Sequence, residues 1–177
     1  MIAEAIGWPQ IAALLVLLQR GAEELYSARN TKTLIAEGGQ EAGRSYYPVV
    51  ATTHLAWIAS LFFLIPANAP ISIVLATCYV LLTAARYWAI GTLGRFWTHR
   101  IITLKDAPIV QSGPYALVRH PNYVVTIAET FLLPAVFGAW ALAFIMTAVW
   151  AAVLSYKIEL EDAALAARRQ PQLEQTG

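Results

Sequence analysis

Apolar residues fall in long runs along this chain, broken by short polar segments that do not alternate with the period of a soluble core. Five runs stand out, at roughly 6 to 26, 49 to 65, 71 to 93, 123 to 137 and 140 to 157. Several reach or approach the roughly 20 residues that cross about 30 Å of hydrocarbon. Backbone groups in lipid must be satisfied internally, so each run is predicted to be a helix. The last two runs meet at Phe137-Gly138-Ala139, which predicts a tight helical hairpin.

Composition strengthens this reading. Of 177 residues, 58% are hydrophobic and only 13% charged, against roughly 25% charged in soluble domains. The expected architecture is an all-α integral membrane protein, a compact bundle of about five transmembrane helices forming one domain over residues 1–166. Residues 167–177 form a polar tail expected to fray. Glu4 and the absence of a basic residue before the first run argue against a cleavable signal peptide. Cys78, the single cysteine, sits in an apolar run and reads as a packing residue. A net charge of +1 offers no broad basic face for nucleic acid.

The basic residues set an orientation. Arg29, Lys32 and Arg44 lie in one connection, Arg95, Arg100, Lys105 and Arg119 in another, and Lys157, Arg168 and Arg169 near the end, while the other two connections carry none. Five spans place all three basic segments on one side, which the positive-inside rule makes cytoplasmic, with the N-terminus outside.

Polar residues within the apolar runs are then the candidates for function, because a charge in a membrane segment normally faces a partner or an interior cavity. His54, Arg86 and Glu129 are of this kind. Two readings stay open for Arg86, a snorkelling residue or a functional cation, and two for His54, a buried structural imidazole or a site residue. Glu129 is flanked by Ile127, Ala128, Phe131 and Leu132, with no interface in easy reach, and favours function.

The stretch GPYALVRHPNYV, residues 113 to 124, adds a second group. Proline restricts the residue before it and fits a first helical turn, so His120 closes a loop and Pro121-Asn122 opens the fourth helix. Gly113-Pro114-Tyr115 supplies the preceding turn. The free amides of that helix start favour an anion, with Arg119 and His120 beside them. After the fifth run, YKIELEDAAL places Lys157 and Glu161 four apart, and Glu161 and Asp162 at the membrane surface.

GPYALVRHPNY, followed by an apolar hairpin and Lys157-Ile158-x-x-Glu161-Asp162, resembles the isoprenylcysteine carboxyl methyltransferase family over roughly residues 80 to 166. That family commonly has Arg-x-x-x-Glu-Glu in the second element, where Lys157 and Asp162 stand here. ARNTKTLIAEGGQEAGRSYYPVVATTHLAW, RYWAIGTLGRFWTHRIITL and Glu129 further resemble a bacterial branch that includes O-methyltransferases for alkylpyrones and alkylresorcinols. The resemblance implies S-adenosylmethionine bound on the cytoplasmic side of a bacterial inner membrane, and a lipophilic acceptor entering from the bilayer lipids. It assigns His120, Asn122, Tyr123 and Glu161 to the cofactor, with Tyr115, Arg119 and Asp162 behind them, and Glu129, Arg86 and His54 to the acceptor; no metal is implied. A prenylcysteine or a phospholipid amine is an alternative acceptor, and a small transporter or scaffold is the non-enzyme alternative. The chain lacks the internal repeats common in transporters.

Overall fold

The computed structural model describes residues 6–105, 107–108 and 110–174, with side chains described as far as Ala164. The expected polar tail lies outside the residues whose side chains are described. Five helices form the bundle: α1 (Trp8–Ala36), α2 (Tyr47–Leu64), α3 (Ile73–Leu93), α4 (Pro121–Val136) and α5 (Trp140–Glu174). Three are long and apolar enough to cross a membrane, over Arg44–Leu64, Ile73–Phe96 and Trp140–Ala164. The other two differ from the expected spans. α1 carries Arg20, Glu23 and Glu24 mid-helix, and α4 has 16 residues, roughly 24 Å of rise.

α1 also runs ten residues past its expected end at residue 26. Hydropathy falls there, but nothing in Ser27–Ala36 breaks a helix, and the first breakers are Gly38 and Gly39. Its start is built by Gly7, whose N–H donates to Gln10 Oε1 at 3.0 Å, while Gln10 Nε2 donates to the Phe62 and Ile65 carbonyls that end α2. A side chain on Gly7 would overlap the Ala67 backbone, with a Cβ only 1.8 Å from its carbonyl oxygen. α3 is joined to the end of α4 through the Ser72 N–H, which donates to the Val136 carbonyl. The predicted hairpin is present, with Gly138 at φ 72° turning α4 into α5.

α4 lies between α3 and α5, and α1 pairs with α2. A short antiparallel ribbon, not anticipated in an all-α reading, pairs β1 (Gln40–Ala42) with β2 (Ile101–Thr103) in the register Glu41 to Ile102. Three-residue strands leave no periodic signal in a sequence; this pair forms because two connections are brought side by side. With the Arg119–Asp162 ion pair, the ribbon gathers all three basic segments at one end of the bundle.

Polarity is arranged inside out. Phe63, Leu64, Val74, Val80, Leu81, Phe144 and Ile145 are exposed, and Cys78 is on the surface rather than packed. Arg20, Glu23, Arg86 and Glu129 are buried. An apolar core of Trp57, Ile58, Leu61, Leu133 and Val136 fills the end away from the ribbon.

Those four charges form one network. Arg20 donates through Nη1 to Glu23 and through Nη2 to Glu129, each at 2.6 Å. Arg86 donates to Glu23 through Nε and Nη2 (2.9 and 2.8 Å), to Thr126 Oγ1 at 3.1 Å, and lies 3.5 Å from Glu129 Oε2. Two positive and two negative charges thereby bolt α1 to α3 and α4. Removing one partner from a buried pair leaves an uncompensated charge and costs about 3 to 5 kcal/mol. Glu129→Ala is accordingly expected to lower stability by that amount in reversible unfolding in detergent; a loss below about 1 kcal/mol would contradict the role given to the network.

Candidate functional site

At the ribbon end the helices enclose a cavity of about 240 Å³. Its wall draws on α2 (Val50, His54), α3 (Arg86), the α3–α4 connection (Trp97 to Thr103, Tyr115, His120), α4 (Asn122, Tyr123, Thr126) and α5 (Trp150, Leu154, Lys157, Glu161). Two groups of residues singled out separately in the sequence, the RHPNY segment with Glu161 and the His54–Arg86 pair, therefore face one space.

The RHPNY segment folds as its prolines predict. Gly113–Ala116 forms a single 3-10 turn, His120 precedes the helix, and Pro121 begins α4. The amides of that first turn are less available than expected. Pro121 has none, and the Tyr123 and Val124 N–H groups already donate to the His120 carbonyl at 3.0 and 3.3 Å, leaving that of Asn122. The polar groups offered at this helix start are instead mainly side chains. His120 stacks on Tyr123 with ring centroids 5.1 Å apart and 4° between planes. The Tyr123 hydroxyl donates to Glu161, which also lies 3.9 Å from Lys157 Nζ and 3.7 Å from His120 Nδ1. Burial, aided by the Glu161 carboxylate, pushes the Tyr115 phenol up to about 12, so it is a neutral hydrogen-bond donor at neutral pH.

His120 Nε2 and Asn122 Oδ1 are buried in the cavity wall without a hydrogen-bond partner. Buried polar atoms are ordinarily satisfied, so these two stand out within the RHPNY segment.

The remaining expected residues take different positions. Arg119 and Asp162 pair with each other on the surface, outside the cavity lining, and join the α4 start to α5. Glu129, 1% exposed, does not line the cavity but stands behind Arg86. Arg86, 3% exposed, does not snorkel; its guanidinium is held by Glu23 and Glu129 and forms part of the cavity wall. His54 packs edge-on against Trp150 at 4.3 Å.

A second cavity of about 220 Å³ lies between α1 and α2, lined by Leu17, Arg20, Gly21, Glu24, Tyr47, Ala51 and Leu55. It shares the lining residues Val50, His54 and His99 with the first. Leu17 and Leu55 place its outer rim on the apolar surface.

The sequence reading missed α1's contribution and His99. The inward face of α1 is apolar at Ala13 and Val16 and then polar at Arg20, Glu23, Ser27 and Asn30. That polar face holds the connection after α3. The His99 N–H donates to Ser27 Oγ at 2.8 Å, and Asn30 Nδ2 donates to the Gly94 and Trp97 carbonyls at 3.2 and 2.8 Å. From α5, Lys157 Nζ donates to the His99 carbonyl at 3.1 Å. The findable signal was polar spacing of three and four residues in a helical run, which marks one buried face.

Three long apolar helices and a partly polar, half-open cavity at one end of the bundle mark a membrane-type protein. Residues 74–167 match the Isoprenylcysteine carboxyl methyltransferase (ICMT) family, and the chain belongs to that family of membrane methyltransferases. It is 35% identical over 162 residues to the uncharacterized protein YpbQ of Bacillus subtilis (strain 168), a match covering 89% of this chain and 95% of that protein. No solved structure gives a significant match. The family match takes in α3 from its second residue, α4 and most of α5, whereas α1 and α2 both fall before it, so the α1–α2 cavity lies largely in the part of the chain the family match does not reach.

Asn30→Ala leaves the Trp97 carbonyl without its donor, at a cost of about 1 to 3 kcal/mol for a buried group left unpaired, while the Gly94 carbonyl keeps the Trp97 N–H. Amide hydrogen exchange over residues 94–103 is expected to accelerate in this variant, with α4 and α5 unchanged; unchanged exchange there would contradict the anchoring role.

Proposed function

We propose that the protein is an S-adenosylmethionine-dependent O-methyltransferase acting on a lipophilic, membrane-borne acceptor such as an alkylpyrone, an alkylresorcinol or a similar polyketide lipid. The observation that carries this reading is the single cavity shared by the RHPNY–Glu161 group and the His54–Arg86 wall, with an apolar cavity between α1 and α2 that shares Val50, His54 and His99 with it.

His120, Asn122, Tyr123 and Glu161 would hold the methyl donor. Their chemistry fits: an aromatic stack, a carboxylate already oriented by Tyr123 and Lys157, and two buried, unpartnered polar atoms on residues that line the cavity. Arg119 and Asp162 act one step back, fixing the α4 start against α5, and Tyr115 adds a neutral donor. When bound, S-adenosylmethionine supplies an electrophilic methyl group, so what the protein must add is alignment in a site shielded from water. Holding reacting atoms in line at near-contact distance lowers such barriers by roughly 7 to 11 kcal/mol.

The acceptor end belongs to His54 and Arg86, with Glu129 as a positioning residue. Glu129 and Glu23 fix the Arg86 guanidinium, which presents an edge to the cavity beside Thr126. The apolar α1–α2 cavity would take the alkyl chain from the bilayer. In this reading all five helices cross or enter the bacterial inner membrane, the N-terminus is outside, and the ribbon end with its cavity faces the cytoplasm, where the basic segments gather.

Two outcomes are expected. His120→Ala should weaken S-adenosylhomocysteine binding at least tenfold in isothermal titration, about 1.4 kcal/mol; an unchanged affinity would remove the cofactor assignment. Gly21 has open space where a Cβ would project, so Gly21→Ala should be tolerated while Gly21→Phe slows turnover of a long-chain acceptor but not of its short-chain analogue. Equal effects on both would move the alkyl chain out of the α1–α2 cavity.

A further inference from the structure

His99 carries an arrangement that the cofactor and acceptor assignments leave unused. Its Nδ1 lies 2.7 Å from Glu24 Oε2. A carboxylate only accepts, so Nδ1 carries the proton in this contact, and in the neutral ring the lone pair is on Nε2. That Nε2 is buried without a hydrogen-bond partner, and the residue lines both cavities. The residue is also held in place: its backbone N–H donates to Ser27, its carbonyl accepts from Lys157, and its ring makes an edge-on contact with Trp97 at 4.7 Å. His54, by comparison, has no carboxylate within ion-pair distance among the described residues, and Glu129 lies outside the cavity wall.

The cations in the wall bear on which acceptor this serves. Arg86 is paired with Glu23 and Glu129, Arg100 with Glu41 at 2.7 Å, and Lys157 lies 3.9 Å from Glu161. Each of the three already has a carboxylate partner, so an anionic carboxylate acceptor would find its charge unmatched. A neutral hydroxyl needs a base instead. A phenol ionises near pH 10, and general base catalysis accelerates such a transfer by roughly 10² to 10⁴.

We infer that Glu24 and His99 form a carboxylate–imidazole base, with His99 Nε2 taking the proton from a weakly acidic, phenol-type hydroxyl whose chain occupies the α1–α2 cavity. This rests on the methyltransferase reading above. The acceptor O–H bond breaks and its proton passes to Nε2. The oxygen lone pair forms the new C–O bond as the methyl–sulfur bond of the sulfonium breaks, and that electron pair stays on sulfur, leaving a neutral thioether. The imidazolium gives its proton to water when the products leave. Glu24 acts through His99 by fixing the tautomer and stabilising the imidazolium.

The surroundings set the pH response. Facing His99 are Glu24 on α1, Tyr47 and His54 on α2, Arg86 on α3, Lys157 on α5 and the adjacent Arg100. Burial holds its imidazole below the usual value near 6.5, helped by Arg86 and Lys157 and opposed by Glu24. The ring is therefore neutral at pH 7, and the rate on a phenol should fall as pH drops through that lowered value. Glu24→Gln removes the opposing carboxylate and moves this limb to lower pH still.

The test uses the full-length protein in nanodiscs. With three histidines in the chain, 15N-histidine NMR assigned by single His→Gln variants reads the tautomer directly. A neutral Nδ1–H ring at His99 is expected at pH 7, and Glu24→Gln should shift its tautomer balance. A proton on Nε2, or an imidazolium at pH 7, would overturn the inference whatever the activity. Methyl transfer is then compared between a long-chain alkylphenol and a fatty acid. His99→Gln should lower kcat on the alkylphenol about 100-fold or more and Glu24→Gln about tenfold, with S-adenosylhomocysteine affinity and thermal midpoint close to wild type. A wild-type rate in His99→Gln, or preference for the fatty acid, would overturn the inference while leaving the methyltransferase reading in place. Failure of the wild-type protein to bind S-adenosylhomocysteine would instead remove the methyltransferase reading itself.

Discussion

A charge enclosed in an apolar bundle must find an opposite charge or the helices that carry it will not pack. Here that constraint is met by Arg20, Glu23, Arg86 and Glu129, which form four ion pairs across α1, α3 and α4 and leave no net charge among them. The remaining geometry follows from it. Arg86 can form part of the cavity wall because two carboxylates behind it fix its plane. Position at the cavity is thus set from deep in the bundle rather than from the loops around its mouth.

The same face of α1 that supplies Arg20 and Glu23 continues one and two turns further as Ser27 and Asn30, and there its task changes from neutralising charge to holding backbone. The segment between α3 and the ribbon has no regular hydrogen bonding of its own at Trp97 to Arg100. It is ordered by donors and acceptors lent by α1 and α5. A loop residue held this way is as well placed as one on a helix, which is what a group required to meet a reacting atom needs. The bundle is divided accordingly: α3 to α5, matched by the family, carry most of the polar wall, and α1 with α2 carry the second, apolar cavity and the Glu24 carboxylate.

Much of this was legible in the sequence where local rules dominate. Proline at 121 set the α4 start, Gly138 set the hairpin, and the four-residue spacing put Lys157 beside Glu161. His54, Arg86, His120, Asn122, Tyr123 and Glu161 were recognisable as polar residues in or beside apolar runs, and they do face one cavity. What could not be read depended on contacts between distant segments. Glu129 looked like a site residue because its neighbours are apolar, yet its partners are Arg20, 109 residues away, and Arg86. His99 lies in a polar connection where a histidine is unremarkable, and only the fold places it over Glu24, 75 residues earlier. The ribbon left no trace because its strands are three residues each.

A structure of the protein with S-adenosylhomocysteine and a long-chain alkylphenol bound together tests the account most directly. The account predicts the sulfur beside the His120–Asn122 wall, the phenol oxygen within hydrogen-bond distance of His99 Nε2, and the alkyl chain between α1 and α2. A nucleoside bound away from the α4 start, or a chain leaving between other helices, would contradict it.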